Sequence, residues 1–232
     1  MVRSPVKVSI VIPCFNEEDT ISEVIERVKR LNLGVEKEII VVDDGSTDRS
    51  FDEARKHDGV VLVRHEKNMG KGAAVKTGIR HSTGDIIVIQ DADMEYFPED
   101  IPALVAPIMK GEADVTYGSR FLGSIEGMSL SHYLGNKILS WATRILFGAK
   151  VTDMMTGYKA FRRWVINGLE LKSKGFEFEP EVTAKILKRG VRIVETPIVY
   201  SVRRSGVAKI KWSDGVKCLW WLIKEKFKGR RE

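Results

Sequence analysis

Hydrophobic positions follow two different periods along this chain. Short runs that are apolar at consecutive positions, as in buried parallel strands, alternate with segments of helical periodicity. The runs are Val8–Ile12, Glu38–Val42, Val60–Val63 and Asp85–Ile89. Because the segments between them are long enough for crossover helices, the pattern predicts an α/β fold with a mostly parallel sheet that helices cover on both faces.

The first predicted helix begins near Asn16 and would place Ile21, Val24, Ile25 and Val28 on one apolar face. Other elements are predicted less directly, from turn residues, prolines and changes of period. The predicted helices follow Asp48, cover Met69–His81, begin at Pro98 with a break near Pro107, and cover Leu130–Phe147 and Glu177–Arg189. A mobile loop is predicted at Phe121–Ser131, and an extended pair bent at Thr196-Pro197 is predicted within Val191–Val202.

The composition excludes several classes of protein. The chain has 232 residues, of which 43% are hydrophobic and 30% charged, as in a soluble globular domain rather than a disordered or collagen-like chain. No apolar run approaches the roughly 20 residues that span a bilayer, and the N-terminus lacks the apolar core of a signal peptide, so a cytoplasmic location is predicted. Cys14 and Cys218 lack a disulfide-like or zinc-like spacing and are predicted to be isolated thiols.

The net charge of +6 is concentrated at the C-terminus. Residues 201–232 hold ten Lys or Arg against three Asp or Glu. Apolar residues recur there at helical spacings between lysines, namely Trp212, Val216, Leu219, Trp220, Ile223 and Phe227. We predict a main globular domain over 1–211 and a basic amphipathic helix over 212–232 that docks on a membrane surface, although packing on its own domain is the alternative. The tail has no nucleic-acid reader motif, so nucleic-acid binding is not expected.

Acidic residues follow the fourth predicted strand as Asp91-Ala92-Asp93, with Glu95 nearby. Alternation in an extended segment points both aspartates the same way. Carboxylates at the carboxyl end of a parallel strand can hold Mg²⁺ or Mn²⁺ against a phosphate, although a chance solvated pair is the alternative.

Two further segments lie at the predicted end of a strand or start of a helix and carry a candidate ligand-binding residue. Asp44 ends the second predicted strand, where it would cap a turn or accept hydrogen bonds from a nucleotide base. Lys71 lies in a glycine-rich segment that opens a helix and would face a phosphate. This segment matches neither a Walker A loop nor a complete dinucleotide fingerprint, which disfavours a dehydrogenase.

Taken together, these residues resemble the family-two glycosyltransferases of the GT-A fold, and within them the dolichyl-phosphate mannose and dolichyl-phosphate glucose synthases. The resemblance covers nearly the whole chain and depends on the order and spacing of seven motifs. They are Val11–Glu17, Val42–Ser46, Asp91–Asp93, Gly118–Arg120, Thr152–Gly157, Phe176–Glu179 and Arg203-x-x-Gly206-x-x-Lys209.

The resemblance implies roles for individual residues. Nucleotide contacts are implied at Pro13, Phe15, Glu17, Val42 and Asp44. Metal and diphosphate contacts are implied at Asp91, Asp93 and Glu95, with Ala92 between the two aspartates. Arg120, Arg203 and Lys209 would contact phosphates, and Asp153 would lie at the junction of the two substrates. Phe15, Glu95 and Ala208 depart from the Tyr, Gln and Ser that mannose synthases tend to carry. The glutamine of the Q-x-x-R-W motif is replaced by Ala160 before Arg163-Trp164, so polymerisation is not expected.

The implied activity is metal-dependent, inverting transfer of mannose or glucose from GDP-mannose or UDP-glucose to a polyprenyl (dolichyl) phosphate. This would occur at the cytoplasmic face of a membrane, with a membrane-protein partner possible. Because the acceptor phosphate is already an anion, no general base is required. Two alternatives stay open: transfer to a saccharide or protein hydroxyl with Asp153 as base, and a nucleotide-binding regulatory module without turnover.

Overall fold

A computed structural model describes residues 6–203 and 212–229. Its strands are β1 Lys7–Cys14, β2 Glu36–Asp43, β3 Val60–Arg64, β4 Ile86–Ile89, β5 Val115–Glu126, β6 Lys159–Arg162 and β7 Ile193–Ser201. They form one sheet in the order β3-β2-β1-β4-β6-β5-β7. Neighbouring strands are parallel except around β6, which is antiparallel to both β4 and β5. The predicted mostly parallel sheet is confirmed.

Helices cover both faces of the sheet. They are α1 Ile21–Arg30, α2 Ser50–Arg55, α3 Lys71–His81, α4 Ile101–Met109, α5 Leu130–Phe147, α6 Arg163–Asn167, α7 Phe178–Lys188 and α8 Trp212–Phe227. One apolar cluster joins the sheet to α1 and α4, and a second joins it to α3, α5, α7 and α8. The predicted apolar face of α1 is buried, and α5 has the predicted bounds. Pro107 lies inside α4, which ends two residues later.

The predicted mobile loop at Phe121–Ser131 is wrong for most of its length, because β5 continues to Glu126 and pairs with β7. The pairing is irregular between Ser119 and Ser124, and the strand is largely exposed beyond Arg120, so the sequence shows no period there. A Cβ on Gly123 would lie 2.0 Å from the Ile198 carbonyl oxygen. Glycine therefore allows the two strands to approach closely.

The predicted bent pair within Val191–Val202 is also wrong, because β7 is a single strand. Pro197 pairs with Ser119 on one side and lies on the outermost strand of the sheet. Proline is accepted at an edge because no neighbouring strand needs its missing N–H.

The C-terminal helix α8 packs against α5 and α7. Its residues Cys218 and Leu222 are completely buried in the second apolar cluster. Cys14 is buried as well, and neither of these two described cysteines forms a disulfide, as predicted. No described helix is long and apolar enough to cross a bilayer.

A carboxylate at the amino-terminal edge of the sheet joins β1, β2 and the turn before β4. Glu38 accepts hydrogen bonds from the Ser9 hydroxyl and the Thr83 backbone and hydroxyl, and its Oε2 lies 2.9 Å from Lys7 Nζ. Burial alone would raise the pKa of Glu38, but these partners lower it to about 2. Its ionised form is therefore stabilised by the fold.

We expect Glu38→Gln to lower the free energy of unfolding by about 2 kcal/mol at neutral pH. Because the folded pKa is depressed, this contribution is present above the unfolded pKa of about 4.5 and is lost as the pH falls toward 2. Urea unfolding between pH 7 and pH 2.5 measures it. The control is Glu36→Gln, an exposed partner of the same Lys7. An equal loss of stability at every pH would contradict the prediction.

Candidate active site

The acidic residues singled out by the sequence lie at one edge of the sheet. Glu17 follows β1, Asp44 follows β2, and Asp91 and Asp93 follow β4. Because β1 is parallel to both β2 and β4, these three strands end at the same edge. Open α/β sheets bind ligands at this edge.

Lys71, the first residue of α3, pairs with Asp91. Its Nζ lies 2.6 Å from Oδ1 and 2.8 Å from Oδ2. Glu179 of α7 lies 3.9 Å from the same Nζ. Burial by itself would lower the pKa of Lys71, but Asp91 and Glu179 raise it overall, so Lys71 stays charged. The ammonium predicted to face a phosphate therefore also holds Asp91 in position.

Arg203, which follows β7, joins three carboxylates. Its Nη2 donates to Asp93 Oδ2 at 2.7 Å, and its Nη1 donates to Glu17 Oε1 at 2.9 Å. Its Nε lies 3.8 Å from Glu95 Oε1. The predicted phosphate-binding guanidinium is thus brought among the acidic residues. Lys209, predicted to act with it, lies outside the described residues.

Negative charge exceeds positive charge at this edge. Burial and the charge of Asp91 raise the pKa of Asp93, and burial and Asp93 raise the pKa of Glu95 to about 7. Among the described residues, the ion pairs and near neighbours here join five carboxylates, Glu17, Asp91, Asp93, Glu95 and Glu179, to three cations, Lys71, Lys159 and Arg203. The carboxylates therefore outnumber the cations by two, an imbalance that suits a divalent cation.

Across residues 6–203 and 212–229, no three His, Cys, Asp or Glu side chains converge as a complete metal site. Mg²⁺ commonly takes only one or two protein carboxylates and fills its other positions with water and substrate phosphates. Asp91 and Asp93 fit that donor set. A ligand role for Glu95 stays a prediction.

Asp44 supports the glycine-rich segment before α3. Its Oδ1 accepts from the Met69 N–H at 2.9 Å, and its Oδ2 accepts from the Gly70 N–H at 2.7 Å. His65 Nδ1 lies 2.6 Å from Oδ1. The carboxylate therefore fixes the start of the helix that carries Lys71, and its nucleotide contact stays a prediction.

The other predicted nucleotide contacts lie at the same edge but differ in exposure. Pro13 and Phe15 are half-buried at the end of β1. Val42 is completely buried against Ala74, so only its backbone can reach a ligand. The carbonyl oxygen of Ala92, between the two aspartates, accepts from the Thr20 hydroxyl at 2.7 Å. That bond holds the start of α1 against the acidic segment.

Arg120 and Asp153 form a buried bidentate ion pair. Arg120 Nε donates to Oδ2 and Nη2 to Oδ1, both at 2.7 Å, and the Arg120 N–H also donates to Oδ2 at 3.1 Å. The backbone N–H groups of Thr152 and Asp153 donate to Glu195 on β7. Both oxygens of Asp153 therefore accept hydrogen bonds from Arg120.

Sequence reasoning missed several polar residues that shape this edge. Gln90 is completely buried and donates to the carbonyl oxygens of Asp91 and Tyr96, which closes the acidic segment into a loop. Lys159 is also completely buried and pairs with Glu179. A lysine inside the apolar run Tyr158–Phe161 was the signal for this pair, since a buried charge requires a partner.

Gly157 lies against Asp91 and Lys71. A Cβ there would lie 2.2 Å from Asp91 Oδ2 and 2.8 Å from Lys71 Nζ. We expect Gly157→Ala to displace the carboxylate and to lower the kcat/KM of the reaction at this edge by at least about tenfold, because small displacements of catalytic groups are costly. The control is Gly135→Ala, where a Cβ meets nothing within 4 Å. Unchanged turnover by a folded Gly157→Ala variant would contradict this.

Residues 9–169 match the model of glycosyl transferase family 2. The chain belongs to that family. Its acidic edge, with Asp91 and Asp93 after β4, lies in the matched region, as does the Arg120–Asp153 pair. The glycosyltransferase resemblance stated from the motifs is confirmed.

Curated relatives of this glycosyltransferase include enzymes named for lipid-phosphate sugars. The dolichol-phosphate mannosyltransferase of Pyrococcus furiosus is 32% identical over 88% of this chain and 59% of its own length. The polyprenol monophosphomannose synthase of Mycolicibacterium smegmatis is 29% identical over 92% of this chain and 84% of its own length. This chain thus spans less than two thirds of the Pyrococcus protein.

A solved structure supports the fold assignment. The glucosyl-3-phosphoglycerate synthase of Mycobacterium tuberculosis, in complex with Mn²⁺, UDP and phosphoglyceric acid, superposes with a TM-score of 0.76 at 25% identity. The match covers 96% of this glycosyltransferase and 79% of that chain. The predicted GT-A-like architecture is confirmed.

Proposed function

We propose that this glycosyltransferase moves a hexose, with inversion, from a nucleoside diphosphate sugar to a polyprenyl phosphate. The observation that carries the proposal is the edge where Asp91 pairs with Lys71 and Asp93 pairs with Arg203. The Arg120–Asp153 pair is supplied by β5 and the segment before β6. It is supported by the relatives named for dolichol and polyprenol phosphates.

The donor diphosphate would lie at the acidic edge. Asp91 and Asp93 are the residues that would hold Mg²⁺ or Mn²⁺, which when bound offsets charge on the departing diphosphate. The neighbouring mycobacterial structure contains Mn²⁺ and UDP, which supports a divalent cation and a nucleotide here. The sugar is mannose or glucose; the names of the relatives support mannose and the UDP of the neighbouring structure supports glucose.

The chain would act mainly by positioning and by electrostatics. An oxygen of the acceptor phosphate attacks the anomeric carbon, the bond from that carbon to the diphosphate oxygen breaks, and its electron pair leaves with the nucleotide. No proton need be removed from the acceptor. Arg120 and Arg203 would stabilise the two anionic groups as they approach, and Asp153 would keep Arg120 oriented.

The division into a catalytic part, 1–211, and a membrane-facing helix, 212–232, belongs to this proposal, as does a place on the cytoplasmic face of a membrane. Lys209 lies in the first of these parts and would face a phosphate. A membrane-protein partner is compatible with both the membrane-facing helix and the place on the cytoplasmic face of a membrane.

The test is incubation of the purified protein with Mg²⁺ and a panel of labelled nucleotide sugars, each with detergent-dispersed polyprenyl phosphate or with a hydroxyl acceptor. The hydroxyl acceptors are phosphoglycerate and simple saccharides. We expect label in an acid-labile lipid product from GDP-mannose or UDP-glucose. Label in a hydroxyl acceptor alone would favour the alternative glycosyl transfer, and nucleotide binding without product would favour a regulatory module.

A further inference from the structure

Four charged groups of alternating sign extend from the acidic edge into the interior of the domain. They are Asp91, Lys71, Glu179 and Lys159, in that order. Glu179 and Lys159 are buried, and the side chains of Asp91 and Lys71 are largely covered. Because a buried charge is costly unless it is paired, the position of each group depends on its neighbours in this row.

Lys159 is the fixed end of the row. Its ammonium donates to the carbonyl oxygens of Met154 and Thr156 and to Glu179 Oε2, so all three of its N–H groups have an acceptor. The centre of the Tyr117 ring lies 4.5 Å from the same nitrogen. Lys159 therefore holds one oxygen of Glu179 in place and leaves the other oxygen for a different partner.

That other oxygen, Glu179 Oε1, lies on the side of Lys71. It is buried, has no hydrogen-bond partner among the described residues, and lies 3.9 Å from Lys71 Nζ. Lys71 is at present bonded to both oxygens of Asp91, at 2.6 and 2.8 Å. A shift of the ammonium by only about 1 Å would let it donate to Glu179.

The backbone fixes the two residues relative to each other. Lys71 begins α3, and Glu179 lies in the first turn of α7. The Ala73 N–H donates to the Lys174 carbonyl oxygen at 2.9 Å, and a Cβ on Gly72 would lie 3.0 Å from a side-chain carbon of α7. Because the starts of the two helices are in direct contact, movement of the Lys71 side chain is enough to reach Glu179.

A second carboxylate beside Lys71 matters because Asp91 has two tasks. When Asp91 binds a divalent cation, it offers less negative charge to the ammonium, and the cation repels the ammonium. Lys71 would then be left without a full counter-ion, although its side chain is only 19% exposed. Glu179 supplies the missing negative charge on the other side of the ammonium.

We infer that Glu179, oriented by Lys159, is a positioning residue that keeps the Lys71 ammonium at the acidic edge when Asp91 binds a divalent cation. Glu179 acts through Lys71 and need not touch the substrate. The inference rests on the proposed function, since Lys71 is held there for the diphosphate of the donor.

The test is the affinity of the protein for UDP and GDP with Mg²⁺, measured by calorimetry, which requires neither acceptor nor turnover. Glu179→Gln keeps the shape of the side chain and removes its charge. We expect it to weaken binding of the nucleotide that the wild type prefers by about tenfold, a loss typical of residues that orient a group at a metal site.

The matched control is Glu181→Gln, on the same helix. Glu181 is completely buried and also pairs with a lysine, but its partner is Lys185, at 2.6 Å, rather than Lys71. This variant should lose stability and keep normal nucleotide affinity. Nucleotide affinity reduced equally by Glu181→Gln and Glu179→Gln would overturn the inference, because any buried pair of α7 would then have the same effect.

A double-mutant cycle separates positioning from a structural role. If Glu179 acts through Lys71, adding Glu179→Gln to Lys71→Met should cause no further loss of nucleotide affinity, because the group to be positioned is already absent. A further tenfold loss in the Lys71→Met background would overturn the inference. In the transfer assay, Glu179→Gln should raise the KM of the donor and leave the KM of the acceptor unchanged.

A second variant protects the test against misfolding. Lys159→Gln/Glu179→Gln replaces the ion pair by two amides and leaves neither member of the pair as an unpaired buried charge, and it should show the same tenfold loss. Normal nucleotide binding by either folded variant would overturn the inference alone. Absence of nucleotide binding by the wild type would refute the proposed donor site and the inference with it. Weakened binding in a protein that forms no lipid product would support the inference and refute only the proposed acceptor.

Discussion

Replacing Asp93 by Asn is expected to lower kcat/KM for glycosyl transfer at least about 10²-fold. Asp93 carries one of the two carboxylates that would hold a divalent cation, and it also pairs with Arg203 at 2.7 Å. The amide keeps the shape of the side chain and removes its charge. Chelator should abolish wild-type activity, and added Mg²⁺ or Mn²⁺ should restore it.

The control for this variant is Asp85→Asn, which changes the same residue type just before β4, at the opposite edge of the sheet. It should keep normal turnover. Binding of Mn²⁺ in the presence of nucleotide, followed by electron paramagnetic resonance, should weaken in Asp93→Asn and not in the control. Full wild-type activity in chelator would refute the metal role.

Replacing Asp153 by Asn is expected to destabilise the fold by about 3 kcal/mol, because it leaves the guanidinium of Arg120 buried without its counter-ion. Both residues of the pair are buried, and three hydrogen bonds join them. The control is Asp114→Asn, which removes a partly exposed pair with Arg162 at 3.0 Å. This change should lower the free energy of unfolding by less than about 1 kcal/mol. Urea unfolding measures both.

The same Asp153→Asn variant tests the mechanism. With an ionised phosphate as acceptor, no acidic limb of the pH–rate profile should belong to Asp153, so residual activity should follow pH as the wild type does. A wild-type limb that rises with pH and disappears in the variant would instead identify Asp153 as a base and favour transfer to a hydroxyl.

The sheet and most helices were predictable because local periodicity reports burial directly. Consecutive apolar residues in β1, β2 and β4 can be buried only in a covered parallel sheet, and the apolar residues of α1 recur at the helical repeat. The end of β5 was not predictable, since its pairing with β7 joins distant segments through an irregular register and leaves its side chains largely exposed.

By itself, the sequence determined that acidic residues follow parallel strands, because strand order and strand ends can be located from local pattern. Only the tertiary structure decided which charges meet. Lys71 and Arg203 reach Asp91 and Asp93 from α3 and from the end of β7, and Arg120 reaches Asp153 across 33 residues. Such pairs depend on how elements pack, and packing also turns Cys218 of α8 inward while leaving Trp220 exposed beside α5. Local periodicity carries no information about which distant element covers a given face of a helix. Which apolar residues of α8 are buried and which are exposed was therefore decided only by the tertiary structure.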